Sequence, residues 1–240
     1  MTLTLIIALT LVCAVTYTFE ITFGLAGTIL MLMALSSFID TKVLVIYSIL
    51  PQILVATIGL YRSPRTVKIR FLAGMLVYAS AGSLLGLYLF YYFSPEVFQR
   101  LLALAITLFG LYLVVASRSF KIPRFVQRLL DTIAGVSQAL FGISGPIAMT
   151  RLLGSFDNKL VIRNYAFAFF LSLNLIRGSS YLAHGTITAE ITRAMLISGP
   201  VLFVVLWYSN RLHMHVNEIL FRRVVSWMIL VGGVSLLMRS

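Results

Sequence analysis

Long apolar stretches broken by short basic linkers constrain this chain more than any other feature. From Leu3 to Phe38 the one charged residue is Glu20, and from Phe71 to Phe93 there is none. About 20 consecutive apolar residues cross a hydrocarbon core of about 30 Å as a helix. In lipid the backbone has no water to bond, so such stretches satisfy their own N–H and C=O groups by coiling. Composition agrees: 60% of the 240 residues are hydrophobic and 11% charged, against roughly 25% charged in soluble globular chains. A water-soluble protein of this size has no interior large enough for that apolar load. The chain reads as an all-α polytopic membrane protein.

The basic excess, 19 Lys+Arg against 7 Asp+Glu, does not point to nucleic acid. Positive residues gather in the cytoplasmic loops of membrane proteins, and no basic domain or aromatic-interleaved basic run stands apart here. Cys13, the sole cysteine, excludes an internal disulfide and reads as packing. Met1–Thr4 lacks the positive stretch of a signal peptide, so the first helix reads as retained.

Spans are expected at Val43–Tyr61, Phe71–Phe93, Val97–Ala116, Leu160–Ala183, Ile191–Tyr208 and Ile219–Met238, with Pro95 starting the helix after Ser94. Two further segments, Leu3–Phe38 and Leu129–Gly154, contain glycine-bearing disturbances. Phe23-Gly24-Leu25-Ala26-Gly27 recurs as Phe141-Gly142-Ile143-Ser144-Gly145, 118 positions later, and Asp40-Thr41-Lys42 as Asp157-Asn158-Lys159, 117 later. Matches in the same order at nearly equal offsets indicate an internal duplication, residues 1–120 and 121–240, together one transport domain.

Charge orients the duplication. With Arg62–Arg70 cytoplasmic, alternation places Arg118–Arg128, Arg151–Arg163 and Arg211–Arg223 inside as well, and these loops hold fourteen of the nineteen positive residues. Leu3–Phe38 must then begin and end outside, and Leu129–Gly154 must begin and end inside. Each is expected to be a broken, re-entrant hairpin followed by three transmembrane helices. The two halves are inverted copies, and both termini face outside a cell (inner) membrane. At 1.5 Å per residue the arms Leu129–Phe141 and Pro146–Phe156 would be about 20 and 16 Å long, which puts the tips near mid-membrane.

Broken helices at matched positions of inverted halves mark a transport site. Gly24, Gly27, Gly142 and Gly145 permit positive φ and close backbone approach. Each turn leads into a helix whose first N–H groups are unpaired and carry the positive dipole end. Two such ends meeting form an anion site without a fixed charge, with Thr28 and Ser144 hydroxyls as added donors. Glu20, four residues before Gly24, has the neutral Gln138 as its repeat partner. A carboxyl at that depth is expensive when ionised, and Glu20 is the candidate for proton coupling. Gln52, after Pro51, and Asn174 complete the candidate lining.

The Gly-x-small-Gly tips in this order resemble the sulfite exporter (TauE/SafE) family of membrane permeases, over essentially the whole chain. That family carries a Gly-hydrophobic-Gly-Gly-Gly run in each half. The runs here are Gly24-Leu25-Ala26-Gly27-Thr28 and Gly142-Ile143-Ser144-Gly145-Pro146, so Ala26, Thr28, Ser144 and Pro146 replace family glycines. The resemblance implies a permease for small sulfur-containing anions such as sulfite or organosulfonates, working as an exporter. The residues alone reach a transporter, for an anion.

Several polar residues read as structural. Arg177 is expected to snorkel to the outer interface, the alternative being an anion attractor at the vestibule. Asp40/Lys42 and Asp157/Lys159 anchor or cap helix starts. His213 and His215, with Glu218 as the nearby carboxylate, make a poor metal set, so no metal or cofactor is assigned. An intramembrane enzyme is disfavoured because no Gly-x-Ser-x-Gly or His-Glu-x-x-His run occurs. A non-transporting membrane subunit would leave the paired hairpins without a purpose. The expected partners are a small anion and the bilayer, and lipid-exposed faces leave room for a homodimer.

Overall fold

The computed structural model describes residues 2–23, 26–61, 66–115, 122–210 and 218–239, and among these every regular element is a helix. In chain order they are α1 (Leu3–Phe23), α2 (Gly27–Leu35), α3 (Thr41–Tyr47), α4 (Ile49–Tyr61), α5 (Ile69–Tyr92) and α6 (Pro95–Val115), then α7 (Arg124–Phe141), α8 (Gly145–Leu153), α9 (Lys159–Ala183), α10 (Ala189–Ser209) and α11 (Glu218–Arg239). Six stretches are long and apolar enough to cross a bilayer: Leu3–Thr22, Thr41–Tyr61, Ile69–Tyr92, Pro95–Val115, Lys159–Ala183 and Ala189–Ser209. The chain is a multi-pass membrane protein. Leu3, Ile7, Leu11 and Val15 form an exposed stripe along α1, and Leu84, Leu85, Tyr88 and Tyr92 expose the outer face of α5. Such faces suit a lipid solvent.

Local chemistry sets the boundaries. Asp40 caps α3 by accepting from Lys42 N (2.8 Å) and Val43 N (3.2 Å). Asn158 caps α9 in the same way, from Leu160 N (2.9 Å) and Val161 N (3.3 Å). The second cap is therefore Asn158 rather than Asp157, which corrects the 117-residue offset to the 118 that separates the tips. Pro51 lacks the N–H that would bond the Tyr47 carbonyl, and the Thr41–Tyr61 span is interrupted at Ser48, between α3 and α4. Pro95 opens α6, as expected.

The second hairpin differs from expectation at its base. α7 begins at Arg124, five residues before Leu129, and its 18 residues give an arm of about 27 Å rather than 20 Å. The returning arm α8 has nine residues rather than eleven. Arg151 is not a loop residue: it lies on α8, buried, with Nε 3.4 Å from Asp131 of α7. Arg151 also donates to Ser155 Oγ and lies over the Phe71 ring at 5.2 Å. The pair fastens the two arms of this hairpin together.

Close helix packing uses small residues. α5 lies against α7, where Gly82 and Gly86 of α5 and Gly135 of α7 let the backbones touch. A Cβ at Gly135 would strike the Ala79 carbonyl. Close approach of this kind substitutes for the hydrophobic drive that lipid removes. α6 packs on α11, α4 on α9 and α1 on α10. Cys13 is fully buried in α1, in its expected packing role.

Candidate functional site

Two helix breaks build the centre of the molecule. In the first, α1 ends at Phe23 and α2 starts at Gly27, preceded by Ala26 at φ +81°. Gly24 and Leu25 lie outside the described residues. A non-glycine residue in the left-handed region costs about 1–2 kcal/mol, so the surrounding contacts hold Ala26 there. In the second, Gly142 closes α7 at φ +72°, its N–H donating to the Gln138 carbonyl at 2.9 Å. The Ser137 hydroxyl donates to the Ile143 carbonyl, and α8 restarts at Gly145. Positive φ thus falls on Ala26 and Gly142, whereas Gly27 and Gly145 sit inside helical first turns. What Gly27 provides is room: a Cβ there would lie 2.5 Å from Glu20 Oε2 and 3.0 Å from the Thr16 carbonyl.

Both tips face one small cavity of about 20 Å³, room for about one water. Glu20, Ala26 and Thr28 line it from the first hairpin, Gln138, Gly142, Ser144 and Gly145 from the second. Gln52 lines it from α4, with Phe170 of α9, Ile29, Ile143 and Pro146 as apolar walls. Eight of the residues singled out in the sequence therefore converge on one space. Gly27 lies behind Glu20, and Asn174 stands one bond further back, accepting from Gln138 Nε2 at 3.0 Å.

Gln52 joins the tips. Its amide nitrogen donates to Thr28 Oγ1 and to the Gly142 carbonyl at 2.7 Å. Its oxygen accepts from Gln138 Nε2 at 2.8 Å. Ser144 Oγ donates to Gln138 Oε1 at 2.7 Å, and Thr28 Oγ1 is 3.0 Å from the Tyr17 hydroxyl. Both hydroxyls expected to face a ligand are thus engaged in this conformation. The side-chain donors of Asn174 Nδ2 and Arg177 Nε are buried without a hydrogen-bond partner among the described residues.

Arg177 overturns its expected place. It is fully buried, not snorkelled to an interface. Nη2 donates to the Val45 carbonyl (2.7 Å) and Ser48 Oγ (2.9 Å), and Nη1 to the Gln138 carbonyl (3.1 Å) and Gln52 Oε1 (3.5 Å). The reason is local: beside the helix breaks at Ser48 and Gly142, the Val45 carbonyl (bonded by the Ser48 hydroxyl) and the Gln138 carbonyl (bonded by Gly142 N–H) each keep a second lone pair facing inward, and a guanidinium has five donors to meet them. Among the described residues no carboxylate pairs with it. It is a buried positive charge directly behind the second tip.

Glu20 is the buried carboxyl group at the first. It is 7% exposed, and its Oε2 accepts from Thr28 N at 3.2 Å. The first turn of α2, expected to be open to a ligand, is thus met by the chain's own carboxylate.

Sequence reasoning passed over Phe170, Tyr17, the Asp131–Arg151 pair and the inward placement of Arg177. Phe170 was accessible in principle, since it lies 118 positions after Gln52. Asp131 carried a weaker signal, an acid within an otherwise apolar segment. His213 and His215 lie outside the described residues.

A multi-pass helical protein whose two broken hairpins enclose a buried polar cavity belongs among membrane transport proteins. More specifically, the chain belongs to the sulfite exporter TauE/SafE family, whose model matches residues 9–236. That is a family of membrane transporters. No curated protein and no solved structure matches the chain.

Proposed function

We propose that this protein is a secondary transporter of small anions, sulfite or organosulfonates, exporting them across the cell membrane by alternating access. The observation that carries the reading is the buried cavity shared by both hairpin tips and Gln52. An anion between the tips meets helix N-termini, whose amides and dipoles favour negative charge. The Thr28 and Ser144 hydroxyls add donors, and Arg177 contributes a full positive charge from behind. The cavity holds about one water, so a polyatomic anion requires the tips to part. Rocking of one half against the other supplies that motion.

Matched element bounds support two inverted repeats, residues 1–120 and 121–240. Phe23 and Phe141 end their arms, Gly27 and Gly145 open the next helices, Leu35 and Leu153 close them, and Asp40 and Asn158 cap their successors, every pair 118 apart. Each hairpin packs on a helix of the other half, α1 on α10 and α7 on α5. The nine-residue returning arms, about 14 Å each, are half a hydrocarbon core, which favours tips near mid-membrane. The charge bias of the loops favours both termini outside. Glu20 couples flux to protons by binding one in part of the cycle.

Uptake into proteoliposomes of a panel of small anions, at two opposed pH gradients, tests this directly. Saturable flux of a sulfur oxyanion that responds to the gradient is expected, with the response lost in Glu20→Gln. Absence of flux for every anion would reject the reading. Cysteines placed at Ser94 and Ser119 in a Cys13→Ala background should label from opposite sides.

A further inference from the structure

We propose that Glu20 is a built-in stand-in for the transported anion: its carboxylate holds the α2 amide that a bound anion would take, and the ligand that replaces it is a small oxyanion of single negative charge. This rests on the cavity being the anion site. The carboxylate is already in the ligand's place. Its Oε2 accepts from Thr28 N at 3.2 Å, Glu20 lines the cavity, and Gly27 is bare where a methyl would lie 2.5 Å from that oxygen. The second tip also leads into a nine-residue helix opened by a glycine, without the acid. There Gln138 stands 118 positions after Glu20, its Oε1 takes the Ser144 hydroxyl, and no side chain caps α8. One N-terminus is filled by a charge of the protein; the other is not.

An independent observation sets the ligand's charge. Arg177 is fully buried, has no carboxylate partner among the described residues, and leaves Nε without a hydrogen bond. It connects to Glu20 through a continuous chain: Arg177 Nη1 to Gln52 Oε1, Gln52 Nε2 to Thr28 Oγ1, and Thr28 N to Glu20 Oε2. Along this chain the Glu20 carboxylate, when ionised, is the counter-charge to Arg177. Isolated charge in a low-dielectric interior is costly, so when Glu20 is protonated or displaced, a monoanion restores neutrality and a dianion does not. Of the elements packed around Glu20, α9 brings Arg177 and also Arg163, which donates to the Ile21 carbonyl at 3.0 Å. α1 itself brings the Tyr17 hydroxyl, bonded to Thr28, and α4 the neutral Gln52. Ser209 of α10 meets Thr18.

Binding of methanesulfonate and of sulfite to the purified full chain in nanodiscs, across a pH series, tests the stand-in role. Methanesulfonate keeps a single charge across the neutral range, so its profile reports the protein alone. Wild type should lose affinity by about tenfold per pH unit once Glu20 ionises. Glu20→Gln and Glu20→Ala should bind at least ~10-fold tighter at the upper pH and show a flat profile. Gln138→Glu, which adds a second acid, should weaken binding and steepen the profile. A flat wild-type profile, or Glu20 variants that bind no tighter than wild type at any pH, would overturn the proposal while leaving the anion site standing. No saturable binding by any of the proteins would overturn the anion reading and this inference together.

Discussion

The hairpins α1–α2 and α7–α8 share their helix bounds and divide the charges between them. Both return through nine residues and both restart at a glycine, yet the first puts Glu20 at its tip and the second puts Gln138 there. The second has Arg177 behind it and fastens its own base with Asp131 and Arg151; 118 positions earlier than these three stand Gly59, Cys13 and Met33, none of them charged. Gln52 bonds both tips, while its counterpart Phe170 only walls the cavity. The two hairpins thus match in helix bounds and differ in turn conformation, Ala26 at φ +81° against Ser144 at φ −122°, and in charge. On the proposed reading, the helix N-termini make the place for an anion, and a few side chains decide when that place is open.

The largest effect that can break this comparison lies in the turns themselves. Gly142→Val forces a β-branched residue to φ +72°, with Arg177 Nη1 only 2.8 Å from the new Cβ. Gly27→Val collides with Glu20 and the Thr16 carbonyl. Each should cut proteoliposome flux at least ~100-fold, equivalent to a barrier near 3 kcal/mol, while the protein still inserts; normal flux in either would detach that turn from transport. Next is Arg177→Met, which removes the charged donor to the Val45 and Gln138 carbonyls and to Ser48, leaving the two carbonyls only Ser48 Oγ and Gly142 N. With hydrogen bonds from a charged donor worth about 1.5–3 kcal/mol each, a loss of about 3 kcal/mol is expected in thermal unfolding, against a smaller one for Gly59→Ser, whose Cβ must displace the Phe167 ring. Equal losses at the two sites would erase the electrostatic distinction. Asp131→Asn leaves Arg151 without its counter-charge and should cost about 2 kcal/mol, detected as faster proteolysis between α7 and α8 but not between α1 and α2. The smallest effects should be the same in both halves: Asp40→Ala and Asn158→Ala each remove a cap worth about 1 kcal/mol. Unequal melting shifts for that pair would show that the halves differ in their scaffolds too.

Much of this arrangement was legible in the residues. The apolar lengths gave five of the expected spans within two residues, from Thr41–Tyr61 to Ala189–Ser209, and the bounds of the helix Glu218–Arg239, because spanning helices answer to bilayer thickness and little else. Leu3–Thr22, expected as the arm of a re-entrant hairpin, is also long and apolar enough to cross. The glycine repeat located both tips, and Gln52, Gln138, Thr28 and Ser144 could be named as polar groups too costly to bury without a purpose. Two errors share one cause. Arg151 and Arg177 were read by the habits of basic residues near membrane ends, one in a loop and one snorkelling. In the fold one meets Asp131, and the other meets carbonyls beside distant helix breaks.

Lipid is a solvent whose demands can be read one segment at a time, so length, periodicity and charge bias by themselves determined a helical membrane protein with two interrupted hairpins. Which donors meet which acceptors was decided only by tertiary structure. Those partners lie about a hundred residues apart, as Gln52 does from Gly142 and Arg177 from Val45. No local rule specifies whether an open helix end will be filled by a ligand or, as at Thr28, by a carboxylate of the chain itself.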